Sequence, residues 1–265
     1  MRGMKLIQAA CHALAENNAR VAIFSLDGER HVAKAPGDGR GWAQALLLKA
    51  FCRLAFGCSV PLASLRLVNG QARLEHEATR LRHLAAAGES VPRVRVVEPD
   101  CMVLEYVGNT VEQSLQAVPH AQYADFLAPA LEDLVRFHAA GHWHGGAQIK
   151  NLTLLDNRLY RIDFEEDVGA YLPLPLMQAF DLVLFVNSCT LLCGMGETAS
   201  VELATALFRR YLQAPPDAAV RAILLRGLRA LSVVCTLLSP LRNRRGRSLK
   251  RIFILRDALS VVLAA

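Results

Sequence analysis

The sequence predicts an α+β fold of two lobes, a small β-rich N-terminal lobe and a helical C-terminal lobe sharing a cleft. Three observations point there. Strand and helix signals alternate as far as Gly108-Asn109, the remainder is almost wholly helical in pattern, and 265 residues suffice for two small lobes. The change of texture sets the expected division, 1–107 for the first lobe and 108–265 for the second.

The elements follow in order. Residues 6–15 read as an amphipathic helix, because Gln8 and His12 interrupt what would otherwise outline a signal peptide. Residues 20–35 read as a β-hairpin around Asp27-Gly28, a dipeptide that favours the two-residue turn. Apolar residues at helical spacing predict helices over 42–56 and 73–87, the latter stopped by Gly88. Two strands, 93–97 and 101–106, flank Pro99-Asp100. Beyond Gly108 a long helix over 121–140 ends at Gly141. A loop over 142–151 leads into a short hairpin around Asp156-Asn157, and helices are expected over 176–193, 198–212, 218–238 and 249–263.

Composition narrows the function classes. A chain 53% hydrophobic and 20% charged is globular, not disordered. Its net charge of +6 suits an anionic partner without choosing among nucleotide, nucleic acid and membrane surface. The seven cysteines are scattered, odd in number and lack a C-x-x-C pair, which argues against a disulfide framework or zinc ribbon and for a reducing, cytoplasmic setting. Cys189 and Cys193, one helical turn apart in an apolar stretch, are expected as buried thiols. The nearest approach to a membrane span, 174–195, carries Asp181 and Asn187 and reads as a buried core helix.

The chemistry is concentrated in one segment. His144-Gly145-Gly146-Ala147-Gln148-Ile149-Lys150-Asn151 runs into the 152–162 hairpin, which ends at Asp163-Phe164-Glu165. A loop Asn and a hairpin-end Asp offer hard oxygen ligands of the kind Mg²⁺ takes on a nucleotide. This unit resembles the catalytic and metal-binding loops of the protein-kinase-like superfamily, and is closest to bacterial lipopolysaccharide kinases and related small atypical kinases.

The resemblance implies a two-lobed protein-kinase-like fold and assigns roles by position. Lys34 in Val32-Ala33-Lys34 matches the phosphate-binding lysine, and Glu77 the helix glutamate presented to it. Glu105 and Val107, in Leu104-Glu105-Tyr106-Val107-Gly108, match the hinge that binds the nucleotide's adenine edge. His144 and Asp163 match catalytic-loop and metal-loop positions, Asn151 and Asp163 the metal ligands, and Asp181 the buried aspartate that anchors the loop. A lone carboxylate in an apolar helix needs such a partner. Taken singly, Lys34 reads as a solvated strand lysine and Glu77 as a surface helix residue. The order and spacing of all six features carry the resemblance. ATP and Mg²⁺ are the cofactors it implies.

Two departures bear on activity. Gly146 stands where the family has its catalytic-loop aspartate, and glycine can neither orient a hydroxyl nor accept its proton. The glycine-rich phosphate flap is also missing: 14–19 contains no glycine, while Gly37, Gly39 and Gly41 follow Lys34 and read as a connector. Glu165 and Glu166 offer a substitute base or extra metal ligand, or simply a solvated acidic turn. His138, His142 and His144 suggest a metal cluster, but Gly141 should end the helix between His138 and His142, spoiling a shared face.

Two stretches, 39–74 and 218–256, are basic without an acidic residue and alternate with apolar side chains, Trp42, Phe51 and Ile252 among them. They read either as basic faces over core helices or as surfaces for anionic lipid. Nucleic acid is not expected, since aromatics are scarce and no readout motif is present. The expected function is an ATP-dependent phosphotransferase acting on a lipid-linked or sugar hydroxyl at the cytoplasmic face of a membrane. The alternative is a pseudokinase that binds nucleotide or lipid and regulates a partner.

Overall fold

A computed structural model describes residues 2–37, 42–43, 45–46, 49–50, 53, 59–62, 70–166, 171–214, 218–241 and 246–264. Most of the helix expected over 42–56 lies outside these residues, as do Gly39, Arg40, Gly41, Phe51, Arg66, Arg242, Arg244 and Arg245. The architecture is α+β, with one compact unit built on an antiparallel sheet and one built of helices. The first comprises Met1–Lys49, Pro61–Asn109 and Thr153–Val168, and the second Ala50–Val60, Thr110–Leu152 and Gly169–Ala265.

In the sheet unit, α1 (Arg2–Glu16) precedes strands β1 (Val21–Leu26) and β2 (Glu29–Lys34), and α2 (Gly70–Ala86) precedes β3 (Val94–Glu98) and β4 (Cys101–Glu105). The strands are ordered β1-β2-β4-β3 and all neighbours are antiparallel. Asp27 and Gly28 both have positive φ, as the tight turn between β1 and β2 requires. Leu6, Ile7, Ala10 and Leu14 recur at helical spacing and bury one face of the sheet, where Ala33, Cys101 and Val103 lie. Side chains alternate along a strand, so Lys34 points to the other face, opposite Met102 in the register.

Helix α2 buries Leu74, Ala78, Leu81 and Leu84, and Glu77 sits fully buried within this stripe. The late hairpin β6 (Leu152–Leu155) and β7 (Arg158–Arg161), preceded by the two-residue strand β5 (Asn109–Thr110), turns on Asp156 and Asn157, both at positive φ. It is tied to the link between α2 and β3. The Arg161 N–H donates to the Ser90 carbonyl and the Arg158 Nε–H to the Ser90 hydroxyl, each at 3.0 Å. Gly108, at φ +96°, passes the hairpin so closely that a Cβ there would lie 2.0 Å from the Leu154 carbonyl oxygen.

The helical unit contains α3 (Val111–Leu115), α4 (Tyr123–Ala139), α5 (Leu174–Ser188), α6 (Glu197–Gln213), α7 (Ala218–Leu238) and α8 (Arg247–Leu263). Thr110 and Gln113 close α3 with a reciprocal capping box. Helix α8 packs on α6 and α7, α7 on α5, and α6 on α4. The helix expected to reach residue 193 stops at Ser188. The Ser200 hydroxyl takes the Leu191 N–H at 3.0 Å, and the chain turns left-handed at Leu191 and Cys193. Cys189 is therefore buried but Cys193 is exposed, which corrects the expectation of two buried thiols. Among the described residues no helix is long and apolar enough to cross a membrane.

Candidate functional site

Candidate residues gather in two clusters, one in each unit. In the sheet unit, Lys34 at the end of β2 reaches Glu77 on α2, with Nζ 2.7 Å from Oε2. The same ammonium lies 2.7 Å from Asp163 Oδ1 and 2.5 Å from Glu165 Oε1. Lys34, Glu77 and Glu165 are buried, whereas the Asp163 side chain is 41% exposed. Asp163 follows β7 at φ +69°, a left-handed conformation that costs a non-glycine residue on the order of 1 kcal/mol and that surrounding contacts must hold. Those contacts come from α2. Glu77 Oε1 accepts the Phe164 N–H at 3.3 Å, Arg80 donates to the Glu166 carbonyl at 3.2 Å, and the Arg80 guanidinium lies over the Phe164 ring.

Burial works against the Lys34 charge, yet Glu77, Asp163 and Glu165 outweigh it and hold the ammonium well above its ordinary pKa. For Glu77, burial is the largest influence and pushes the carboxyl up. Lys34 opposes this, and the charges on Asp163 and Glu165 reinforce it, leaving the net direction upward. The Lys34 shift follows from three carboxylates crowding one ammonium, and the Glu77 shift first from its burial.

Glu165 is the functional candidate whose surroundings differ most from expectation. The sequence suggested a substitute base, a metal ligand or a solvated acidic turn. Instead its buried carboxylate is ion-paired to Arg20 and Arg73 as well as Lys34. Glu77, Asp163 and Glu165 stand close enough together to hold a metal ion, but the cation they grip is the Lys34 ammonium. Gly37, read as a connector, has a specific contact: a Cβ there would lie 2.3 Å from the Arg20 guanidinium carbon. At the other end of β4, the Glu105 carboxylate pairs with Arg93 and Arg95, and the Val107 side chain is buried.

In the helical unit, Asp181 lies on the buried side of α5 and accepts the backbone N–H groups of His144 and Gly145 at 2.5 and 2.7 Å. Burial alone would raise its carboxyl, but His138 and the His144 contacts hold it below the usual carboxylate range. Gln178, one turn earlier, donates to the carbonyls of His138 and His142, and the Ser188 hydroxyl accepts the Ile149 N–H. One face of an apolar helix thus anchors the chain from 138 to 149 through three polar side chains. His144 Nδ1 accepts the Gly146 N–H at 3.0 Å, which places the ring proton on Nε2. Asn151 Nδ2 donates to the Gly146 carbonyl at 2.9 Å.

The clustered histidines have separate surroundings. His138 Nδ1 meets the Tyr211 hydroxyl at 2.7 Å, while the His142 ring lies against Phe137. Several cations of the basic stretches are engaged internally: Lys250 pairs with Glu197, Arg251 donates to the Thr190 carbonyl, and Arg256 pairs with Asp257. Sequence reasoning missed Arg20, Arg73, Gln178 and Tyr211. Only Gln178 left a signal, as a second polar residue three positions from Asp181 in a greasy helix.

No family model matches the chain, and no curated protein matches it. Among solved structures it is similar to the gentamicin–APH(2″)-IIa complex, at 14% identity and a TM-score of 0.32, covering 93% of this chain and 88% of that one. At that level the likeness assigns no residue roles.

Proposed function

We propose that this chain is a protein-kinase-like phosphotransferase that binds ATP through Lys34 and acts on a lipid-linked or sugar hydroxyl at the cytoplasmic face of a membrane. The observation that carries it is one lysine ammonium 2.7 Å from both a helix glutamate and a hairpin-end aspartate. An ammonium so pre-positioned is suited to the oxygens of a phosphate chain. Glu105 and Val107 would face the base, and His144 and Asp181 would hold the catalytic-type loop in shape.

Each unit offers one hard oxygen of the kind Mg²⁺ takes. Asp163 offers a half-exposed carboxylate, and Asn151, whose amide N–H turns to Gly146, offers its Oδ1. A bound Mg²⁺ would neutralise charge on a transferring phosphoryl group.

Gly146 favours a second reading, a pseudokinase that binds nucleotide or lipid and regulates a partner. Glu165 cannot stand in as the base while three cations hold it. The membrane assignment draws support from α7, where Val233, Val234 and Leu237 are exposed, Leu237 by 75%, on a helix that also exposes Arg226 and Arg229.

A thermal-shift titration tests the shared premise. At a hundredfold excess of MgATP over its Kd, binding adds about 2.7 kcal/mol, a rise of roughly 5 °C or more. Asp163→Ala should remove the Mg²⁺-dependent part. No stabilisation by ATP, with or without metal, would sink the phosphotransferase reading and leave the second only in its lipid-binding form.

A further inference from the structure

Glu165 satisfies three cations with one carboxylate. Arg20 and Lys34 share Oε1, and Arg73 takes Oε2. Arg20, Lys34 and Arg73 contribute +3, and Glu77, Asp163 and Glu165 contribute −3, so the cluster is neutral. Without Glu165 it would carry +1, with two guanidinium groups and an ammonium converging on the vacated point. That donor set matches phosphate oxygens, which guanidinium forks bind in pairs.

The cations are tied to the sheet and to α2, whereas the Glu165 carboxylate is held by the three ion pairs themselves. The Arg20 carbonyl accepts the Ala35 N–H at 2.8 Å and its Nε donates back to the Ala35 carbonyl at 3.3 Å, which pins Arg20 beside Lys34. Arg73 lies one turn before Glu77 on α2. Glu165 comes from an irregular segment whose neighbours Phe164 and Glu166 are the ones anchored to α2. Displacing its carboxylate breaks those ion pairs and none of the contacts that anchor Phe164 and Glu166. Arg20, with 41% of its side chain exposed, opens the cluster to solvent.

We infer that Arg20, Lys34 and Arg73 form a binding site for a di- or triphosphate chain, occupied in this state by the Glu165 carboxylate, which the ligand displaces. The inference rests on the nucleotide reading of Lys34 and adds two binding residues and an internal competitor to it. It also gives a physical role to Arg20, just before β1. There a side-chain cation does the work that backbone N–H groups of a glycine-rich flap would do, and residues 14–19 contain no glycine.

Isothermal titration of the full chain without Mg²⁺ tests this, with inorganic pyrophosphate, ATP and adenosine as probes. Glu165→Gln should tighten pyrophosphate and ATP at least tenfold and leave adenosine unchanged. Adding Arg20→Gln should reverse the gain. Equal affinities in the wild type and Glu165→Gln overturn the inference. So does a failure of both Glu165→Gln and Glu165→Ala to fold, since a carboxylate the fold cannot lose is not one a ligand displaces. If Glu165→Gln binds pyrophosphate but shows no preference for ATP, the anion site stands and the nucleotide reading falls. If MgATP stabilises the wild type and Glu165→Gln equally, the nucleotide reading stands and the displaceable carboxylate falls.

Discussion

The Nε2 of His138 lies 3.5 Å from the Asp181 carboxylate, facing it from α4 while Asp181 holds the backbone at 144 and 145. The contact is longer than an ordinary hydrogen bond, and its weight is electrostatic. A wholly buried carboxylate is kept ionised by two backbone N–H groups and one imidazole.

Asp181→Asn should therefore destabilise the protein by about 1–3 kcal/mol at neutral pH. The folded pKa of Asp181 is depressed, so its stabilisation is present above its ordinary value and is lost as pH falls through the folded value. Urea unfolding at stepped pH should show the two proteins converging in acid. A gap that persists unchanged at the lowest pH would assign the loss to packing instead.

Lys34→Met removes the ammonium that three carboxylates share and should cost about 3–5 kcal/mol near neutrality. Glu77, already raised, would rise further without its partner. A raised carboxyl favours the folded state at low pH and loses that advantage as pH climbs through its folded value. The variant should recover part of its stability on mild acidification, and unfolding midpoints between pH 5 and 8 would read this directly.

Gly146→Asp should be tolerated. A Cβ there would lie 3.4 Å from Asn151 Nδ2 and 3.6 Å from His144 Nδ1, ordinary contact distances. If the missing carboxylate is all that limits phosphoryl transfer, MgATP turnover should rise on the order of 10²-fold, the usual contribution of a general base. Phosphate release that stays at background in a variant that binds MgATP would favour the regulatory reading.

Helix α7 makes the membrane proposal specific. Val233→Glu with Leu237→Glu should abolish co-sedimentation with anionic vesicles, and added salt should weaken wild-type binding. Equal binding to neutral vesicles would remove the electrostatic part. No binding by the wild type would leave α7 a helix with scattered exposed apolar residues.

What the sequence made legible was local or strongly patterned. Asp27-Gly28 announced its turn, Lys34 its place on a strand, and Asp181 its need for a partner. Glu165 was opaque because its partners Arg20 and Arg73 lie 145 and 92 residues away, and nothing beside it marks a buried carboxylate. The partners of the basic stretch at 247–256 were opaque for the same reason. Glu197 and the Thr190 carbonyl, which take up Lys250 and Arg251, lie on other elements.

The β6–β7 hairpin carries a consequence for how the chain is made. It belongs to the sheet unit but is translated after the first helices of the other unit. Lys34 must wait for Asp163, 129 residues later, before its ion pairs close. An emerging N-terminal segment has all four strands of its sheet by residue 105 but exposes a buried-type glutamate and lysine with one another for company, and Lys34 lacks Asp163 and Glu165 until those residues have left the ribosome. Contacts so distant along the chain slow folding, because a large loop must be closed before they contribute. A fragment ending at residue 107 would lack the hairpin and the loop that seals Glu77. It should behave as a partly folded, aggregation-prone chain rather than as an independent lobe.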